Sequence, residues 1–246
     1  MILRQFLHTD PVIAASYIVG CGGKSASIVV DPVDGPDVYM RRASELGMSI
    51  RYVVDTHVHA DHISTGRALA DAAGAPYVLH ESAGASFAFE AVADGARLEI
   101  GNVQVEVLHV PGHTPEHLAL LVIDRTRGPE PWFVLTGHTL MVGDMGRTEL
   151  ATNAEEGARA LFASAQRLKR LPDYLPILPG AFAGSVCGRW LSGNPTSTIG
   201  FERRFNTSFA IDDAASFVAA MLRDIPPAPP SAAATRAINL GALAHV

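Results

Sequence analysis

The chain has 246 residues, 48% hydrophobic and 18% charged, with 19 Lys and Arg against 25 Asp and Glu and a net charge of −6. That composition buries a large core and offers no basic face for a phosphate backbone, which excludes nucleic acid as a partner. No apolar run reaches the roughly 18 residues of a membrane span, and the start, Met1 to His8, lacks a basic stretch leading into an apolar one.

In chain order, Val12–Val19, Ala26–Val30 and Ile50–Val54 are β-branched runs closed by turn signals, and they read as strands. Pro36 opens a helix to Leu46, stopped by Gly47, and a second helix runs from Ile63 to Ala73, closed by Gly74. From Ala96 the pattern becomes an antiparallel meander: Arg97–Ile100, a turn at Gly101-Asn102, Val103–Val110, Leu118–Ile123 and Trp132–Leu135. A long helix follows over Ala154–Leu171, with Asn153 as its cap, and a last one over Asp213–Arg223. Two groups of strands, each followed by helices, predict an α/β protein built as a four-layer αββα sandwich. We read residues 1–246 as a single domain with a Pro/Ala-rich C-terminal segment from about residue 226.

Of the eight histidines between residues 57 and 138, six stand out, His57, His59, His62, His113, His117 and His138, most of them where a strand gives way to a loop. Packing has no need of so many ring nitrogens and a carboxylate, Asp61, in one place; zinc and iron do. His8, His80, His109 and His245 read as ordinary surface or hydrogen-bonded residues. Cys21 and Cys187 stand apart from any zinc-spaced partner and read as reduced, structural thiols, which agrees with a soluble, cytoplasmic protein.

Four strings carry a resemblance to a known family: Thr56-His57-Val58-His59-Ala60-Asp61-His62, Pro111-Gly112-His113-Thr114-Pro115-Glu116-His117, Gly143-Asp144-Met145-Gly146-Arg147 and Ser197-Thr198-Ile199-Gly200-Phe201-Glu202-Arg203. Over nearly its whole length the chain resembles the metallo-β-lactamase superfamily, and within it the persulfide (sulfur) dioxygenase branch with its rhodanese-fused bacterial relatives. The resemblance implies the four-layer metallo-β-lactamase sandwich. It also implies one iron held by the first motif histidine, the Pro-Gly-His histidine and an aspartate, of which the first two match His57 and His113.

Two positions depart from the pattern. Where relatives have Thr-Gly-Asp-Thr-Leu, this chain reads Thr136-Gly137-His138-Thr139-Leu140, so His138 is expected to take the third metal position. Asp144 belongs to a separate string and is not assigned that role. Where members with two metals carry a late histidine, the chain reads Pro179-Gly180-Ala181, and Ala181 cannot bind metal, which leaves Asp61 and His62 as the remnant of a second site.

A binuclear hydrolase suffers most from these losses, whereas a mononuclear oxygenase needs one face of three ligands and open positions for O2 and a sulfur. The resemblance therefore implies an Fe(II) dioxygenase acting on a small thiol or persulfide, possible as a homodimer, with zinc as the alternative ion. His59, Asp61 and His62 are the expected catalytic, proton-handling groups. Arg147 is the expected contact for a substrate carboxylate, with a structural salt bridge as its alternative. Arg203, beside Arg204, is the expected residue of the substrate mouth, with a surface pair among acidic neighbours as its alternative. Thr56, Thr114 and Thr136 sit where they can orient the imidazoles, with plain turn chemistry as the alternative. The competing readings are a zinc thioester hydrolase of the glyoxalase II kind and a metal-binding relative without catalysis.

Overall fold

Side chains alternate across a strand, and when both faces of a sheet are covered both sets are apolar. In this computed structural model, which describes residues 1–243, that rule builds two sheets of six strands. The first runs in order β1 (Ile2–His8), β2 (Ala14–Cys21), β3 (Ala26–Val30), β4 (Ser49–Val54), β5 (Tyr77–His80) and β6 (Glu90–Val92). The second contains β7 (Arg97–Ile100), β8 (Val103–His109), β9 (Leu118–Asp124), β10 (Pro131–Gly137), β11 (Pro176–Pro179) and β12 (Ser197–Thr198), again side by side in chain order. His245 lies outside the described residues.

Tyr17 and Val19 of β2 and Ile28 and Val30 of β3 face inwards, against Val105, Val107, Leu120 and Leu135 of the second sheet. Their neighbours Ile18 and Val29 face outwards, onto α1 (Pro36–Glu45) and α2 (Gly66–Ala73) through Tyr39, Ala43 and Leu69. On the far side, Leu108, Leu121 and Val134 pack on α3 (Ala154–Leu168) and α5 (Ala214–Met221) through Leu161, Ala165 and Phe217. The result is the four-layer αββα order expected from the sequence.

The caps follow the sequence closely. Asn153 accepts from the main-chain N–H of Glu155 and Glu156 at the start of α3, and Asp213 accepts from that of Ser216 at the start of α5. Helix α2 starts at Gly66 and not at Ile63, because the Thr65 hydroxyl donates to the carbonyls of Pro32 and Asp34 and holds the preceding loop against β3. The Pro/Ala-rich stretch is not a featureless tail. It contains α6 (Ala232–Asn239), which packs back over the loop after β4. Short helix α4 (Ile199–Phe205) carries the Phe201–Arg204 stretch.

The histidine loops follow the C-terminal ends of β4, β8 and β10, and the Gly180-Ala181 loop follows β11. These strands lie in both sheets, so the loops meet at one edge of the sandwich.

Candidate metal centre

One ligand atom each from His57, His113 and His138 lie within 4.8 Å of one another, all three residues being buried. His57 is the third residue beyond β4, His113 sits in the Pro-Gly-His turn after β8, and His138 follows the last residue of β10. Two glycines make this convergence possible. Gly137 takes a φ of +51°, and a Cβ there would stand 2.5 Å from the His117 ring. At Gly180 a Cβ would stand 2.9 Å from Cδ2 of His138.

The neighbours set the ring tautomers. Thr56 Oγ1 donates to Asp31 Oδ2 at 2.8 Å and so has only a lone pair for His57 Nδ1, 3.0 Å away, which must therefore carry the proton. His113 Nδ1 faces the main-chain oxygen of Arg147 at 2.7 Å and must likewise donate. Each ring is left with an unprotonated Nε2, the arrangement in which a metal-binding imidazole is held. His57 Nε2 and both nitrogens of His138 are buried with no hydrogen-bond partner. Buried polar atoms in that state fit a cation, and packing gives no account of them.

The electrostatics agree. Burial, reinforced by the surrounding imidazoles, pushes the pKa of His57 well below its usual value and that of His113 down to about 3. His138 is also lowered, chiefly by burial. All three rings are neutral at ordinary pH, as ligands must be.

His59 is the opposite case. Burial opposes its charge, but Asp31 Oδ1 lies 3.3 Å from Nε2 and Asp61 Oδ1 3.5 Å from Nδ1, and these two carboxylates hold its pKa well above normal. Despite burial, His62 and His59 beside Asp61 keep that carboxyl well below its usual range. Ligand atoms of His59, Asp61 and His62 form a second group within 4.8 Å, with Asp61 Oδ2 and His62 Nε2 free of partners.

A third group brings Asp61, His138 and Cys187 within the same distance. Nothing in the sequence places Cys187 here, because its partners lie on other loops; it is a free, buried thiol as expected, but one set among ligand-type side chains.

The two arginines lie elsewhere than expected. Arg147 is buried and spends its guanidinium on Glu149 and on the carbonyls of Val186, Pro226 and Pro227, so the salt-bridge alternative describes it. Its contribution to the centre is its main-chain oxygen on His113. Arg203 binds Asp173 and the carbonyls of Lys169 and Leu171, a brace between the last turn of α4 and the end of α3. Asp144 is held by Arg189 and accepts from the Ser208 hydroxyl at 2.7 Å, away from any ligand role.

Four supporting residues were not singled out in the sequence. Asp31 accepts from the main-chain N–H of Thr56 at 2.6 Å as well as from its hydroxyl. Glu116 accepts from Val58 N and pairs with Arg236 of α6, whose guanidinium also donates to Val58 O at 2.7 Å. Asn239 of α6 donates to the carbonyls of both His59 and His62 at 2.8 Å. Asp31 ends a strand and Glu116 lies inside the Pro-Gly-His string, which were the available signals. Arg236 and Asn239 had none.

A family model described as the metallo-beta-lactamase superfamily matches residues 9–180. Human mitochondrial persulfide dioxygenase ETHE1 is 28% identical, over 82% of this chain and 78% of the relative. Among solved structures, a metallo-beta-lactamase from Staphylococcus aureus superposes with a TM-score of 0.90 at 32% identity, covering 97% of this chain and 72% of that one. ETHE1 from Myxococcus xanthus gives 0.82 at 29% identity, covering 97% of this chain and all of that one, 100%.

Proposed function

We propose, from the premise that this chain belongs to the metallo-β-lactamase superfamily, that it is a metal-dependent oxidoreductase oxidising a small thiol or persulfide with O2. The observation that carries this reading is the trio of neutral, buried imidazoles, His57, His113 and His138, with free nitrogens facing one another. The similarity to persulfide dioxygenases supports it.

An iron ion held by His57, His113 and His138 would supply adjacent positions for O2 and a substrate sulfur and pass electrons between them. The chain's own residues shape that chemistry. Three neutral imidazoles contribute one negative charge less than a set containing a carboxylate, which favours an anionic sulfur ligand. Thr56 and the Arg147 carbonyl fix the rings of His57 and His113, so the ligand face is formed before substrate arrives. His59, held between Asp31 and Asp61, keeps a proton beside the pocket at ordinary pH. Two unpaired, buried cysteines suit a reducing compartment, the cytoplasm.

The test is anaerobic purification followed by elemental analysis and O2 uptake with glutathione persulfide. Stoichiometric iron with persulfide-dependent uptake is expected. Stoichiometric zinc with no uptake, and hydrolysis of a glutathione thioester that needs zinc, would replace this reading with the hydrolase.

A further inference from the structure

The sequence leaves the second metal position without its last ligand, since Ala181 occupies the place of the usual histidine. The folded chain brings a different donor to that region. Cys187 lies in the same loop between β11 and β12, and its thiol sulfur comes within 4.8 Å of ligand atoms of Asp61 and His138. The loop is fixed there: Arg147 N donates to the carbonyl of Cys187 at 3.1 Å, and Cys187 N donates to the Ser185 hydroxyl at 3.2 Å.

We propose that Asp61, Cys187 and His138 form a second cation site, suited to zinc, in which the cysteine supplies what Ala181 does not. Three observations carry it, the first two independently of the thiol. Asp61 Oδ2 is buried and unpartnered. His138 lacks a partner on both ring nitrogens, although a ligating imidazole ordinarily hands its second nitrogen to a hydrogen bond. His138 also belongs to both ligand groups, and two unpartnered nitrogens give it one for each ion.

The donor set of thiolate, imidazole and carboxylate suits zinc, and three protein donors leave a fourth position open. Binding replaces the S–H bond of Cys187 by a sulfur–metal bond and the remaining ring N–H of His138 by a nitrogen–metal bond. Two protons pass to solvent and no electron moves. The site stands whether the first centre runs an oxidation or a hydrolysis.

The experiment uses the full chain, stripped of metal and titrated with cobalt(II), which reports thiolate ligation by a charge-transfer absorption in the near ultraviolet. The unaltered chain should take up about two equivalents and show that absorption. Cys187→Ser should fall to about one equivalent and lose it. His113→Ala, which disables the first centre, should keep it, so failure here is separable from failure of the proposed reaction. Because the parent's own absorption needs no variant, a poorly folding Cys187→Ser does not blunt the test, and Cys187→Ala provides a second check. Absence of thiolate absorption in the parent, a Cys187→Ser chain binding as much cobalt as the parent, or loss of the absorption in His113→Ala would each overturn the proposal.

Discussion

Thr56 Oγ1 lies 3.0 Å from His57 Nδ1 while donating its only proton to Asp31 at 2.8 Å. A carboxylate thus dictates, through a hydroxyl, which nitrogen of His57 is free for a metal. Thr56→Val breaks this relay without touching a ligand. It should weaken metal binding by about 10–100-fold, measured by competition with a chromophoric chelator, and binding at parental strength would refute the relay.

His138 stands where relatives place an aspartate, and its assignment as a ligand is separable from its packing. His138→Asp returns a carboxylate and should retain metal, whereas His138→Ala should lose affinity by more than about 100-fold, beyond the range of an outer partner. Elemental analysis after gel filtration distinguishes them. Equal metal content in both variants would remove His138 from the centre.

Arg236 meets Glu116 with two contacts of 2.9 and 3.0 Å, and Glu116 is almost fully buried, 1% exposed. Arg236→Ala strands that carboxylate and should cost roughly 3 kcal/mol of stability. Arg236→Ala combined with Glu116→Gln should cost less than the sum of the two single changes. Urea unfolding of the four proteins provides the cycle, and strict additivity would mean the pair is not coupled.

His80 is stacked on His109, ring centroids 3.9 Å apart, and burial together with that neighbour lowers its pKa from 6.5. A folded pKa below the unfolded one means the contribution is fully present above 6.5 and is lost as pH falls through the folded value. His80→Gln should therefore flatten the decline in melting temperature as pH drops below 6.5. A parallel decline in parent and variant would count against this assignment.

The long apolar strands and the capped helices were legible because their signals are local: a period, a Pro36 at a helix start, an Asn153 cap. Strand β1, with its apolar and polar residues in no strict alternation, was not, and neither were β5, β6, β11 and β12, which are two to four residues long and stabilised by neighbours far away in the chain. The same division runs through the site. His57, His113 and His138 announce themselves in strings, whereas Cys187, Arg236 and Asn239 acquire their roles only when distant loops meet. Arg147 misled for a related reason: its string draws the eye to the guanidinium, and the chain uses its carbonyl.

The contact of Asn239 with His62 joins positions 177 apart in sequence. Closing so long a loop costs entropy that local contacts do not repay. During synthesis the histidine-bearing loops leave the ribosome long before α6 exists to clasp them. The carbonyls of His59 and His62 therefore gain this shared donor only once the chain has reached residue 239.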